Sequence, residues 1–255
     1  MILKAIAFNT LREAVRSKIL YLFFIFGILM IFGSRIISLL AIDNPVKIIK
    51  DFGLGSIHFF SILIVIILGI DLVSREIDKK TIYNILSKPV KRYQFLLGKF
   101  IGMMLTIIVV LITMFATFIL LLWLRTGVLQ INYIGFIYMT FLECLVLTSF
   151  AILFSSISSQ LFSTLFTLGI FMAGNSTFAL KMLKGFLNGE GIGAFLCDVL
   201  YYILPNLGNF NIKNEIVHDV SIAFGNYTEA TLYAFLYAGL IFMLSVFAFN
   251  KRNFY

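Results

Sequence analysis

Six apolar runs follow one another along the chain, at about residues 19–42, 55–73, 100–124, 133–154, 161–180 and 230–249. About twenty apolar residues in a helix rise ~30 Å, the thickness of a bilayer's hydrocarbon core. In that solvent every backbone N–H and C=O must find its partner within the protein, and a helix provides this segment by segment. The pattern therefore predicts an all-α integral membrane protein with six transmembrane helices. Charged residues make up only 13% of the chain, against roughly a quarter in soluble domains. A net charge of +8 would point to nucleic acid in a soluble chain. Here the excess belongs to loops between spans, so no nucleic-acid partner is expected.

One gap between the runs is strongly charged. Ser74 to Lys99 carries seven of the twenty Lys and Arg residues: Arg75, Lys79, Lys80, Lys88, Lys91, Arg92 and Lys99. A loop this basic should stay in the cytoplasm. Ile82, Ile85 and Leu86 share one helical face, away from Glu76, Lys79, Lys80 and Tyr83. Pro89 stops that short helix, because the residue before a proline is pushed out of the α region. A second helical stretch, Arg92 to Lys99, leads into the third run. A short amphipathic helix at a cytoplasmic membrane face offers a docking surface for another protein.

The same stretch carries a family resemblance. Arg75-Glu76, Thr81-Ile82, Ile85-Leu86, Ser87-Lys88-Pro89-Val90, Arg92 and Leu97-Gly98-Lys99 resemble the first cytoplasmic loop of ABC-2-type permeases, the membrane subunits of type-2 ABC exporters. The family's Gly before Thr is Lys80 here. Within the family, the chain looks closest to permeases of the nitrous-oxide-reductase maturation type. The resemblance implies one transmembrane domain over residues 1–255, with a coupling helix in the 74–99 loop between spans 2 and 3. It implies ATPase docking through Glu76, Thr81, Ile82, Ile85, Leu86, Pro89 and Arg92, with Gly98 as the hinge into span 3. It also implies an N-terminal elbow helix and short re-entrant helices between spans 5 and 6.

The rest of the chain is compatible with this scheme. Residues 1–18 read as an amphipathic interfacial helix: Leu3, Ala7, Leu11, Ala14 and Val15 form one stripe, and Asn9, Arg12, Glu13 and Arg16 face away. Lys4 borders the stripe and would snorkel. Asp43 to Leu54 reads as an external loop, and Ser155 to Gln160 as an uncharged link between runs four and five. Gly98 and Gly102 form a GxxxG that allows close helix packing. Between Lys181 and Glu229, the apolar stretch Ile192 to Leu204 is too short to span comfortably before Pro205 and fits a re-entrant or interfacial helix. The cations test the sidedness. Lys4, Arg12, Arg16, Lys18, the seven of the loop, Lys251 and Arg252 fall on one side, and Arg35, Lys47, Lys50, Arg125, Lys181, Lys184 and Lys213 on the other. Thirteen against seven predicts a multi-pass protein of the cell's inner (cytoplasmic) membrane with both termini cytoplasmic.

Catalytic motifs are missing. The Gly98-Lys99 pair is followed by Phe100, so there is no GxxxxGK[ST] loop for ATP phosphates, and no HExxH occurs. Cys144 and Cys197 make neither a disulfide framework nor a metal site. His58, near the outer end of the second run, reads as a hydrogen-bonded structural group. Glu143 is the one acid near the middle of a run. It is either a pathway residue or a carboxyl group that ties its helix to a neighbour.

The expectation is thus a permease subunit without enzymatic activity or a cofactor of its own, forming an export pathway. ATP and Mg would sit on a separate ABC ATPase subunit. A second permease copy, identical or paralogous, would complete the domain within the lipid bilayer, and an external accessory protein would be a further partner. The alternatives are an ion-gradient-driven secondary transporter and a non-transporting membrane anchor for an ATPase complex. The first usually shows internal repeats and spans broken at mid-depth, whereas Pro45, Pro89 and Pro205 all lie outside the predicted spans. A membrane-embedded enzyme lacks its nucleophile–base or metal constellation.

Overall fold

The computed structural model describes residues 2–39, 44–78, 91–127, 133–186, 191–218, 220 and 223–251, and every regular element among them is helical. In chain order these are α1 (Ile2–Val15), α2 (Lys18–Ser38), α3 (Pro45–Asp78), α4 (Arg92–Thr126), α5 (Ile134–Ile157) and α6 (Gln160–Asn175). Then come α7 (Thr177–Phe186), α8 (Gly191–Ile203), a 3-10 turn (Leu207–Phe210), α9 (Lys213–Val217) and α10 (Phe224–Lys251). Five of them are long and apolar enough to cross a membrane: α2, α3 over Pro45–Ile70, α4, α5 and α10.

Helix α5 is the central post, packed by α3, α4, α6 and α10. In its most apolar window 78% of residues are buried, against 22% in α2, which lies at the periphery. The outward-facing residues Leu22, Ile25, Phe26 and Leu29 of α2 and Leu236, Leu240, Met243 and Phe247 of α10 are exposed and apolar. That costs nothing in hydrocarbon, where lipid tails are as apolar as leucine. Several hydroxyls inside the helices are satisfied by the preceding turn. Thr106 donates to the Gly102 carbonyl at 2.9 Å, Thr148 to Cys144 at 2.7 Å and Ser156 to Ile152 at 2.7 Å.

Contacts at the two ends of the bundle fix the helix directions. At the end that carries the basic loop, Arg92 at the start of α4 donates to the Phe249 and Asn250 carbonyls of α10 at 3.2 and 3.1 Å. Ser155 of α5 donates to the Ile70 carbonyl of α3 at 3.4 Å. At the opposite end Tyr138 of α5 and Thr231 of α10 share a hydrogen bond of 2.7 Å, and Lys213 of α9 pairs with Asp51 of α3 at 2.9 Å. So α3, α5 and α10 run toward the basic end, while α4 starts from it.

Four expectations change in detail. Pro45 to Leu54 is helical rather than an external loop, since Pro45 takes the first position of α3, where a missing N–H costs nothing. The link Ser155 to Gln160 shrinks to Ser158 and Ser159, because α5 runs on to Ile157. On α1 the fully buried residues are Ala7, Thr10 and Ala14, while Val15 is exposed. The small residues, not the bulkiest apolar ones, face the bundle, because the helix opposite approaches too closely for anything larger. The fifth run is divided: α6 stops at Asn175, and α7 starts at Thr177. Sixteen residues reach ~24 Å, less than a ~30 Å hydrocarbon core.

Candidate functional site

The predicted docking residues distribute unevenly. Thr81, Ile82, Ile85, Leu86 and Pro89 lie outside the described residues, and Glu76 is placed only by its backbone, in the last turns of α3. Arg92 is the first residue of α4. Its guanidinium lies on carbonyls at the C-terminal end of α10, where the helix dipole favours a cation. The backbone N–H of Lys91 donates to the Gln94 side chain at 3.2 Å, which caps the helix that leaves the loop.

Gly98 and Gly102 come next on α4, and the helix passes through both without a break. Their partner is α1. A Cβ on Gly98 would come within 2.6 Å of Ile6, and one on Gly102 within 2.5 Å of Thr10 and 2.7 Å of the Ala7 carbonyl. The two glycines thus seat the N-terminal helix directly on the stretch leaving the basic loop. Lys99, between them, is 2% exposed, and its Nζ reaches Glu13 of α1 at 3.3 Å. Counting it as one more loop cation missed this role; its place beside Gly98 on the packed face was the available clue.

Glu143 sits elsewhere, wholly buried in the middle of α5. Its Oε2 is 2.7 Å from His58 Nε2 of α3, a hydrogen bond whose proton can sit on either atom. Its Oε1 accepts a longer bond of 3.4 Å from the side-chain amide of Asn175, the last residue of α6. Asn175 also donates to the Phe171 carbonyl at 3.1 Å. The rings of Phe136 and Phe171 tilt against the imidazole at 6.5 and 6.4 Å. One carboxyl group therefore joins three helices at a point screened by aromatic rings. Of the two readings open for Glu143, the tie to neighbouring helices is present. His58 is hydrogen-bonded as read, but its partner was not foreseen. Among the described residues, no three His, Cys, Asp or Glu side chains gather as metal ligands.

Beyond this cluster the backbone turns irregular, and its polar groups are met one by one. Thr177 donates to the Asn206 side chain at 2.9 Å, the Asn206 N–H donates to the Tyr233 hydroxyl at 2.9 Å, and Tyr237 donates to the Ile203 carbonyl at 2.6 Å. Lys184 of α7 pairs with Asp198 of α8 at 2.7 Å. Helix α8 falls where an apolar helix was expected before Pro205.

Comparison with known families decides the class. The model of the ABC-2 family transporter proteins matches residues 4–187. The chain belongs to the ABC-2 transporter family. It is a multi-pass membrane protein of the permease type, and the match takes in the α1–α4 seam, the basic loop and the His58–Glu143–Asn175 cluster. It is a match to the ABC-2 family as a whole and singles out no branch within it. No curated protein matches the chain significantly.

Proposed function

We propose that this chain is the permease subunit of an ATP-binding cassette exporter, forming half of a dimeric transmembrane pathway driven by a separate ATPase. The observation that carries this reading is the ABC-2 family match over residues 4–187, which includes the whole basic loop between α3 and α4. The chain has no phosphate-cradling loop of its own, so ATP and Mg belong on the partner. The cation bias puts the basic end, with both termini, on the cytoplasmic side. Six crossings are supported by the helix directions: α5 ends at the basic end and α10 starts at the other, so the segment between them returns across the bilayer. In this reading α6 makes the first part of that passage, and α7, α8 and the 3-10 turn complete it as partly re-entrant structure at the external gate.

Closure of the ATPase subunits would press on the 74–99 loop. Helix α4 leaves that loop gripped by α1 at Gly98 and Gly102 and by α10 through Arg92, so displacement at the loop reaches the first and last helices together. The external end, with α8 and α9, is where an accessory protein would meet the permease.

The test is a pull-down of the detergent-solubilised chain from its native cell, with ATPase activity assayed on the product. A co-purifying nucleotide-binding subunit is expected, with stimulation lost on charge reversal in Glu76→Lys or Arg92→Glu and with helical content retained. A homo-oligomer without ATPase would replace the reading by the gradient-driven transporter. An ATPase equally stimulated by the parent chain and both variants would replace it by the anchor.

A further inference from the structure

ATPase docking does not account for the cluster of His58, Glu143 and Asn175. Glu143 lies ten residues beyond Tyr133 at the start of α5, ~15 Å along the helix and so near the middle of a ~30 Å hydrocarbon core. It is 0% exposed, and the His58 side chain keeps 18% of its surface. Among the described residues, no Lys or Arg of the surrounding helices is bonded to the pair. Helix α6 carries no titratable residue, and α5 adds the buried thiol of Cys144 beside Glu143 and the phenol of Tyr138, which is bonded to Thr231 of α10. On α3, Asp51 is paired with Lys213 of α9, and Lys50 stands over the Tyr133 ring. Lys99 of α4 is bound to Glu13, Arg35 of α2 is exposed, and Tyr233 and Tyr237 of α10 engage Asn206 and Ile203. Among the described residues, no other hydrogen bond or ion pair reaches His58 or Glu143.

The proton count then follows from charge. Holding one exchangeable proton between them, the pair is neutral whichever partner bears it. With none it leaves a net negative charge, and with two a net positive one, in a medium where unbalanced charge is strongly disfavoured. The two groups lie 2.7 Å apart, close enough for a single hydrogen bond to hold a proton between them. The third member sits on a helix end: Asn175 closes α6, and Phe171, one turn earlier, lies against the imidazole. Any displacement of α6 withdraws the amide and the ring together.

We propose that the His58–Glu143 pair is an intramembrane proton-binding site gated by the end of α6. With α6 seated, the pair retains one proton. When α6 moves, water reaches the pair, and a proton is taken from water or returned to it, one O–H or N–H bond forming as another breaks. The link of that movement to an ATP-driven cycle rests on the permease reading; the binding site itself does not.

The experiment is a pH-dependent infrared difference titration of the full chain in lipid nanodiscs. The expected result is a protonated-carboxyl band that responds to pH, is absent in Glu143→Gln and follows a different pH dependence in His58→Gln. In Asn175→Ala the same band should exchange with deuterium several-fold faster. Identical spectra for the parent chain and Glu143→Gln would overturn the proposal. So would an unchanged titration in His58→Gln, which decides the matter alone if Glu143→Gln does not fold. Because the spectra need no ATPase, a proton site without a co-purifying ATPase would leave this inference standing while the permease reading falls.

Discussion

What a glycine contributes in this bundle depends on what would meet its Cβ. In α2, a Cβ on Gly27 would meet the terminal methyl of Met114, the far end of an unbranched side chain that can swing aside, and lie 3.3 Å from the Phe60 ring. On Gly174 it would come within 2.7 Å of the Pro205 carbonyl, and on Gly102 within 2.7 Å of the Ala7 carbonyl, and backbone cannot step aside. Overpacking of that kind costs about 1–3 kcal/mol, whereas replacing a helical glycine by alanine gains about 1 kcal/mol. Gly102→Ala and Gly174→Ala should therefore lower the thermal unfolding midpoint in detergent, while Gly27→Ala leaves it nearly unchanged. An unchanged or raised midpoint in Gly102→Ala and Gly174→Ala would show that the backbone gives way at these contacts. The spacing of Gly98 and Gly102 announced a close approach in the sequence; its partner did not, because α1 reads by hydrophobicity as a surface helix. The bond from His58 to Glu143 was hidden for a related reason. It joins residues 85 positions apart and depends on the register of α3 against α5.

Among the elements, the long helices were legible because apolar runs of that length have few other ways to exist. The division between α6 and α7 was not, since Gly174, Asn175 and Ser176 sit within a run apolar enough to read as continuous. What stabilises the break is distant in sequence: Asn206 receives Thr177, Tyr233 receives Asn206, and Tyr237 holds Ile203. Two tyrosines one helical turn apart on α10 thus hold the segment that fills the space beyond α6. Removing the Tyr233 hydroxyl leaves the half-buried Asn206 N–H unpaired, at about 1 kcal/mol, and removing that of Tyr237 releases the more exposed Ile203 carbonyl. Tyr233→Phe and Tyr237→Phe should each speed amide exchange several-fold in peptides covering residues 203–210. Peptides from the centre of α5 serve as the reference and should not change. If exchange rises equally in α5, the tyrosines support the bundle as a whole rather than this segment.

In the molecule as a whole, the proposed sixth crossing has to be reconciled with the five long helices found among the described residues. Helix α10 ends beside Arg92, at the end from which α4 starts, so its first residue lies at the far end. Helix α5 finishes at the basic end, beside α3. The chain from Ser158 to Ala223 therefore begins at one end of the bundle and finishes at the other, although among its described residues no single helix is long enough to cross. Hydrocarbon tolerates such a passage only where protein covers the broken backbone, and the satisfied groups around Asn206 meet that condition. The prediction uses single cysteines at Ser159 and Asn209, both exposed, in a chain whose Cys144 and Cys197 are replaced by alanine. A membrane-impermeant maleimide applied to intact cells should label the cysteine at 209 and spare the one at 159 until the membrane is opened. Labelling of both from the same side would mean that α6 turns back, leaving α10 to end across the membrane from the start of α4. Arg92 could not then reach the Phe249 carbonyl, so that outcome would count against the packing of the bundle as well as the sixth crossing.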